Sequence, residues 1–254
     1  MRGMTELPLF FAPDIASELE LPETEAQHCT RVLRMNIGDR IEVTDGKGNL
    51  YECEIIGVTK RSCMINILSS SFIPSFWKGN ITIAVGATKH IDRMEWMVEK
   101  LVEIGVDRIS IIKSDQCERK STRLDRLERI AVSAMKQSLK TVMPKVETDI
   151  PFKDFVASLK DTTSVKMIAH CSDDPTLPKK VTPYELYDGQ EDAVILIGPE
   201  GDFTKEEVEF AIANGFRTIT LGEARLRTET AAVSALQWLQ IGQKIKLSEE
   251  NRQK

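Results

Sequence analysis

Two glycine-containing stretches hold the residues that are best suited to do chemistry. The first, residues 197–203, reads Ile-Gly-Pro-Glu-Gly-Asp-Phe; it follows a short apolar run and precedes a Thr204-x-x-Glu207 helix-start signal. Glycine lets a backbone pass close to a ligand, and free amides at the start of a helix attract polar groups. The stretch therefore predicts a ligand site, although a simple tight turn has the same local signature.

The second stretch, residues 221–231, reads Leu-Gly-Glu-Ala-Arg-Leu-Arg-Thr-Glu-Thr-Ala. It gathers two arginines, carboxylates and hydroxyls between another apolar run and a helical pattern. It also has a structural interpretation, in which Thr228 caps a helix and Arg227 is an ordinary surface residue. Both interpretations stay open on this stretch alone.

Motifs that are absent narrow the chemistry. The chain has no GxxxxGK[ST] phosphate loop, no GxGxxG after a strand, no GxSxG elbow and no HExxH, which disfavours nucleotide hydrolysis, Rossmann cofactors and zinc hydrolysis. The three histidines, His28, His90 and His170, lie far apart with no metal-ligand spacing. We therefore predict no metal site.

Composition places the chain among soluble globular proteins of one or two domains. It has 254 residues, of which 41% are hydrophobic, and 34 basic against 39 acidic side chains give a net charge of −5. No apolar run approaches the ~18 to 20 residues that a membrane helix needs, and no secretory signal is present. The 5 cysteines are scattered without a CxxC pair, which is typical of reduced thiols with packing roles. We expect a cytoplasmic protein with no membrane partner.

Two regions of different periodicity must position the glycine stretches. Residues 40–44, 50–58 and 63–68 alternate as strands, which predicts a small barrel or sandwich. A Ser-Ser-Ser break at 69–71, followed by Pro74, marks a boundary, so we predict domains at residues 1–73 and 74–254.

The second domain alternates strands and helices, which predicts an α/β fold. Strands are expected at residues 80–87, 108–112, 165–169, 193–197 and 216–221. Helices are expected at residues 92–104, 122–139 with a Thr122-x-x-Asp125 cap, 151–159, 204–214 and 230–242, with a polar tail from Ser248. Both glycine stretches then leave strand ends, where α/β folds bind ligands.

Basic residues concentrate between Cys117 and Lys140. The segment contains three acidic residues (Glu118, Asp125, Glu128) and seven basic ones (Arg119, Lys120, Arg123, Arg126, Arg129, Lys136, Lys140). This excess fits a nucleic-acid surface. A solvated helix face explains it about as well.

Together the motifs resemble one family, the RNA uridine-N3 methyltransferases that modify 16S ribosomal RNA, members of the SPOUT class. The residues that carry the resemblance are GPEG at 198–201, LG at 221–222 and LRTETA at 226–231, His28 with Arg31-Val-Leu-Arg34 and Gly38-Asp39, Lys89 with Asp92-Arg93-Met94-Glu95, residues 100–106, and Gln137-Ser138 with Pro144. The sequence departs from the family pattern in three places: Asp202 replaces a second glycine, the pair Ala224-Arg225 replaces Arg-Ile, and Lys140 replaces an arginine.

The resemblance implies a PUA-like β-barrel that binds RNA, followed by an α/β domain tied in a trefoil knot, and a homodimer that acts on 16S rRNA or the small ribosomal subunit. It implies S-adenosylmethionine (SAM) as the cofactor, without a metal. The implied cofactor-binding residues are Ile197, Gly198, Pro199, Glu200, Gly201, Leu221, Gly222, Leu226, Arg227 and Thr230. The implied RNA-binding residues are Arg31, Arg34, Lys89, Arg93 and Arg123.

The implied reaction is an attack of uracil N3, by resemblance that of uridine 1498, on the sulfonium methyl group. Arg227 would stabilise negative charge on the uracil carbonyls, and Glu229 would accept the N3 proton. Glu229 has an alternative role as a partner of Arg227, with Glu200 as another candidate base. Two other functions are weighed: a related knot methyltransferase with a different target, and a non-catalytic rRNA-binding assembly factor.

Overall fold

The structure is a computed structural model that describes residues 7–59, 61–118 and 121–252. Contacts divide the chain into two units. One comprises the residues up to Phe76 together with Val132–Met143, and the other comprises Trp77–Ala131 and the residues from Pro144 onward.

The first unit is built on a four-stranded sheet in the order β1-β2-β3-β4. Its strands and helices are β1 (Leu9–Phe11), α1 (Ile15–Glu18), α2 (Glu23–Gln27), a π-helical turn (His28–Val32), β2 (Arg40–Thr44), β3 (Asn49–Val58) and β4 (Cys63–Phe72). The alternation seen in the sequence is confirmed, since Ile41 and Val43 are buried on one face of β2. Strand β1, which pairs in parallel with β2, was not predicted.

A segment distant in sequence completes this unit. Lys136 Nζ lies 2.6 Å from Glu25 Oε1, and both side chains are largely buried. Thr44 Oγ1 donates to the carbonyl oxygen of Thr141 at 3.0 Å. The hydroxyl of Thr141 in turn donates to the carbonyl oxygen of Ile73 at 2.6 Å. These bonds explain why Val132–Met143 belongs with the first unit, whereas the sequence pattern predicts two continuous domains.

The second unit contains a six-stranded, all-parallel sheet in the order β10-β8-β9-β5-β6-β7. Its strands are β5 (Ile81–Gly86), β6 (Arg108–Lys113), β7 (Lys145–Pro151), β8 (Val165–Ala169), β9 (Ala193–Ile197) and β10 (Arg217–Ile219). Every residue of β5 and β9 is buried, as expected for central strands covered on both faces. The predicted α/β fold with a parallel sheet is confirmed.

The helices are α3 (Ile91–Ile104), α4 (Leu124–Gln137), α5 (Phe152–Ser158), α6 (Pro183–Leu186), α7 (Lys205–Ala213) and α8 (Thr228–Arg252). Helix α4 crosses from one unit to the other. Helix α7 begins with the predicted capping box, because Thr204 Oγ1 accepts from the Glu207 N–H at 3.2 Å and Glu207 Oε2 accepts from the Thr204 N–H at 3.0 Å. Helix α3 ends at Gly105, where φ is +115° and a Cβ atom would lie 2.4 Å from Trp77.

Two local predictions are wrong. Thr122 does not cap α4, since its hydroxyl has no hydrogen-bond partner among the described residues and its N–H donates to Asp149. The expected polar tail from Ser248 is helical instead, because α8 continues to Arg252. Within the described part of the chain, no helix combines the length and the apolar character needed to cross a membrane.

Candidate active site at the ends of three parallel strands

A cleft of about 1460 Å³ opens where β8, β9 and β10 end, and all of its lining residues belong to the second unit. These strands are neighbours in the order β10-β8-β9, so the loops that follow them meet at the carboxyl edge of the sheet. The lining includes eight of the predicted cofactor residues: Ile197, Gly198, Pro199, Glu200, Leu221, Gly222, Leu226 and Arg227. It does not include Gly201 or Thr230 among the described residues.

Glycine is required at two positions of the cleft for different reasons. At Gly222, φ is +135°, a conformation that side chains rarely adopt, and no atom lies within 4 Å of the place where a Cβ would stand. At Gly198, a Cβ would lie 2.8 Å from Asp202 Oδ1. The first glycine permits the backbone conformation of its loop, and the second lets its own loop close tightly.

The two glycine stretches are joined by a buried hydrogen bond. Thr228, the first residue of α8, donates through Oγ1 to the carbonyl oxygen of Gly198 at 3.0 Å. A buried bond of this kind fixes the relative position of the loops that follow β9 and β10. The hydroxyl of Thr228 therefore contacts the other loop rather than serving only its own helix.

Charged side chains are distributed unevenly around the cleft. Arg227 and Arg225 are exposed and line it. Arg93 also lines it, with Nε 3.9 Å from Oε1 of the buried Glu229. Glu229 is buried and is not part of the lining among the described residues, although its partner Arg93 is. Glu200 does line the cleft, and its Oε1 accepts from the Lys89 N–H at 3.0 Å.

The loop after β8 contributes residues that sequence reasoning missed. His170, Cys171 and Lys180 all line the cleft. Cys171 is exposed, so the predicted packing role is wrong for this thiol, whereas Cys29, Cys53 and Cys63 are buried. Although the residue is exposed, partial desolvation of its sulfur and the nearby Asp202 carboxylate raise the pKa of the Cys171 thiol above its ordinary value. A protonated thiol is a poor nucleophile, which argues against covalent catalysis by this residue.

The predicted RNA-binding residues fall in both units. Arg31 and Arg34 are exposed in the first unit, and Lys89, Arg93 and Arg123 belong to the second. Ion pairs with acidic residues outside the segment offset part of its positive charge: Arg126 contacts Glu95, and Lys136 contacts Glu25. Arg123 and Arg129 both contact Asp125 of the segment itself at 2.9 Å. Arg119 and Lys120 lie outside the described residues. The exposed side chains of Arg123 and Arg129 fit a solvated face as well as a nucleic-acid surface, whereas Lys136 is largely buried.

Comparison with protein families decides what this fold is. A model described as an RNA methyltransferase domain matches residues 77–240, well over half of the chain. The chain belongs to this RNA methyltransferase family. A second model, described as an RNA methyltransferase PUA domain, matches residues 21–68. Together the matches confirm the family resemblance and the PUA-like domain that were predicted from the sequence.

Individual relatives match this RNA methyltransferase over most of both chains. A probable rRNA-methyltransferase from Porphyromonas gingivalis, known from its crystal structure, is 45% identical and matches 94% of this chain and 99% of that chain with a TM-score of 0.88. A ribosomal RNA small subunit methyltransferase E from Neisseria gonorrhoeae, crystallised with S-adenosyl methionine, is 28% identical over 93% of this chain and 98% of that chain, with a TM-score of 0.82. The enzyme of the same name from Buchnera aphidicola is 29% identical over 87% of this chain and 86% of its own.

Proposed function

We propose that the protein transfers the methyl group of SAM to N3 of a uridine in 16S rRNA, the uridine at position 1498. The observation that carries this proposal is the cleft in which two glycine-containing loops meet beside Arg227 at the carboxyl edge of the parallel sheet. Relatives of nearly full length that are named ribosomal RNA small subunit methyltransferase E support the substrate. The relative crystallised with the cofactor supports SAM.

The cleft fits a cofactor that is held mainly by backbone groups. Gly222 is in the cleft lining, and outside its own and the adjoining residues no atom lies within 4 Å of its Cβ position. Residues 197–200 and 221–222 would hold the cofactor there, and its sulfonium would supply an electrophilic methyl group. The Thr228 to Gly198 bond keeps both loops in place before anything binds, so little ordering cost falls on the binding step.

Arg227 is the residue we assign to charge stabilisation. Uracil N3 carries an imide proton, and its loss spreads negative charge onto the two flanking carbonyl oxygens. Arg227 is exposed and lines the cleft at the start of α8, where its planar guanidinium can donate two hydrogen bonds to such oxygens. A contact that strengthens as this charge develops accelerates the chemical step.

The proton from N3 passes to a carboxylate in this proposal. Glu229 is the acceptor expected from the family resemblance; its Oε1 lies 3.9 Å from Nε of Arg93, a residue of the cleft lining. Glu200 is the alternative, and its position in the lining favours direct transfer. Replacing each by glutamine distinguishes them, because only the true acceptor changes the pH dependence of single-turnover methyl transfer.

The remaining parts of the proposal concern assembly and RNA. We expect a homodimer, a trefoil knot formed by the loops around Gly198 and Thr228, and an RNA path that involves Arg31 and Arg34 of the PUA domain. Lys89, Arg93 and Arg123 would contribute from the methyltransferase domain. Because the substrate is 16S rRNA or the small ribosomal subunit, we expect the protein to act in the cytoplasm. Sedimentation of the purified protein measures the oligomeric state.

The decisive experiment supplies labelled SAM to the purified protein together with 16S rRNA or small subunits from a strain that lacks it. Mass spectrometry of digested RNA should then find 3-methyluridine at a single position. Methylation of another nucleotide would indicate a related methyltransferase with a different target. RNA binding without any methyl transfer would indicate the assembly factor instead.

A further inference from the structure

His170 is a buried polar side chain without a partner. It follows the last residue of β8 and lines the cleft, yet only 7% of its surface is exposed. Neither Nδ1 nor Nε2 has a hydrogen-bond partner among the described residues. Buried polar atoms are nearly always paired, and an unpaired one destabilises the fold. A histidine in this state beside a binding cleft is a candidate for a hydrogen bond to a bound ligand.

The surroundings of His170 favour an uncharged ring. Burial lowers its pKa below the ordinary value, and the positive charge of Lys180 lowers it further. The carboxylates of Asp202 and Asp173 oppose this change without reversing it. A neutral imidazole offers one N–H donor and one nitrogen acceptor. The matching ligand group therefore presents a neutral acceptor or a neutral donor to one of the two ring nitrogens, as a ribose hydroxyl or the edge of adenine does.

The position of His170 distinguishes the two ligands of the proposed reaction. Strand β8 lies between β9 and β10, so His170 stands between the loops that contain Gly198 and Gly222. Arg225 and Arg227 are exposed parts of the lining, whereas His170 is buried. A base presented by RNA approaches from the exposed side, and the small molecule enclosed by the glycine loops reaches the buried side.

We propose that His170 hydrogen-bonds the adenosine half of the cofactor, so that it is a binding residue for the nucleoside. This inference rests on the proposed function, because it requires SAM in the cleft. It assigns a side-chain contact to a site that glycine backbones otherwise dominate. It also gives a hydrogen-bond partner to a buried polar ring that has none among the described residues.

Calorimetry with S-adenosylhomocysteine and with 5′-methylthioadenosine, which lacks the amino-acid half, tests this inference on the full-length protein. His170→Phe should weaken both ligands by roughly fivefold to tenfold, the effect of one lost hydrogen bond. His170→Asn, which retains a donor and an acceptor, should weaken them less. His90→Ala is the matched control, since His90 lies outside the cleft lining among the described residues, and it should bind both ligands normally.

A second measurement follows the His170 ring directly in the unaltered protein. The His170 ring resonances of the unaltered protein, assigned by their loss in His170→Asn, should shift when 5′-methylthioadenosine binds and stay unchanged with methionine. Equal affinity of His170→Phe and the unaltered protein would overturn the inference, as would unmoved ring resonances at saturation with S-adenosylhomocysteine. Failure of the unaltered protein to bind S-adenosylhomocysteine would instead overturn the proposed function itself, and this inference with it.

Discussion

Asp202 Oδ2 accepts a hydrogen bond from the Cys171 N–H at 2.7 Å, so one carboxylate joins the loops that follow β8 and β9. The backbone of Asp202 has φ of +66°, in the left-handed region. The family pattern has glycine at this position, which suits such a conformation, and aspartate is among the few other residues that tolerate it. The departure from the pattern therefore keeps the backbone shape and adds a contact between loops.

Substitutions at Asp202 should separate the backbone effect from the hydrogen bond. Asp202→Asn keeps an acceptor and should unfold at nearly the same urea concentration as the unaltered protein. Asp202→Gly relieves the backbone but loses the bond, which lowers the free energy of unfolding by about 1 kcal/mol. Asp202→Ala loses the bond and places a side chain that does not tolerate the left-handed conformation there, so the free energy of unfolding should fall by about 2 to 3 kcal/mol. Equal stability of the alanine and glycine variants would contradict the role of the positive φ.

Gly222 should be essential for cofactor binding but not for folding. Gly222→Val fills the open space in the cleft and should abolish the calorimetric signal of S-adenosylhomocysteine. The strained backbone should also lower the free energy of unfolding by about 1 to 3 kcal/mol. Gly38→Val is the matched control, because Gly38 also has positive φ with no atom near its Cβ position and lies in the first unit. That variant should show a similar loss of stability with normal cofactor affinity; a parallel loss of binding would refute the assignment of Gly222.

The sequence predicts elements whose signals are local. The capping box of Thr204 and Glu207 correctly marks the start of α7, and the apolar runs of β5, β8 and β9 identify central strands. Strand β7 is missed because it is an edge strand with alternating charged residues. Its Glu147 is paired by Arg108 across the sheet, and a partner 39 residues away is invisible to a local pattern.

For the candidate site, too, local sequence patterns identify some residues and miss others. The glycine stretches contain local motifs, so eight of their predicted residues are found in the cleft. His170 and Cys171 have no motif, and only the adjacency of β8 with β9 and β10 brings them there. Glu229 matches the family pattern, yet its neighbour is Arg93 rather than Arg227. A side chain's neighbours across the fold depend on strand order, which the spacing of residues does not contain.

Arg31 and Arg34 should contribute to RNA affinity without affecting cofactor affinity. Replacing both by alanine removes two positive charges from the PUA domain, so RNA binding should weaken. The plot of the logarithm of the binding constant against the logarithm of the salt concentration should become shallower by about 2. Lys47→Ala combined with Arg61→Ala removes the same charge from the same unit and should leave that slope closer to the original. Filter binding at several salt concentrations measures both variants. Unchanged affinity of the Arg31 and Arg34 variant throughout would place the RNA elsewhere.

The lowered pKa of His170 predicts a pH-dependent stability. In the unfolded chain this ring titrates near its ordinary value of 6.5, and in the folded chain it titrates below that. Between the two values the unfolded state binds more protons, so the free energy of unfolding should fall as the pH decreases through this interval. His170→Asn should lack this contribution. Urea unfolding of both proteins at about pH 7.5 and about pH 5.5 measures the difference, and an identical pH dependence would contradict a buried, neutral ring.

Arg227→Ala should lower the rate of methyl transfer far more than it weakens RNA binding, because the guanidinium is assigned to charge that develops during the reaction. Removal of one such donor costs about 2.7 to 4 kcal/mol, which slows single-turnover transfer roughly a hundredfold or more. Arg227→Lys should restore only part of the rate, since an ammonium lacks the planar pair of donors.

Arg217→Ala is the control: Arg217 is also exposed but begins β10, away from the cleft lining among the described residues. A purely structural role for Arg227 predicts a lower melting temperature and activity in proportion to the folded fraction. Single-turnover rates measured beside thermal melts and sedimentation distinguish the two roles, and a well-folded Arg227→Ala protein with near-normal turnover would exclude Arg227 from the chemistry.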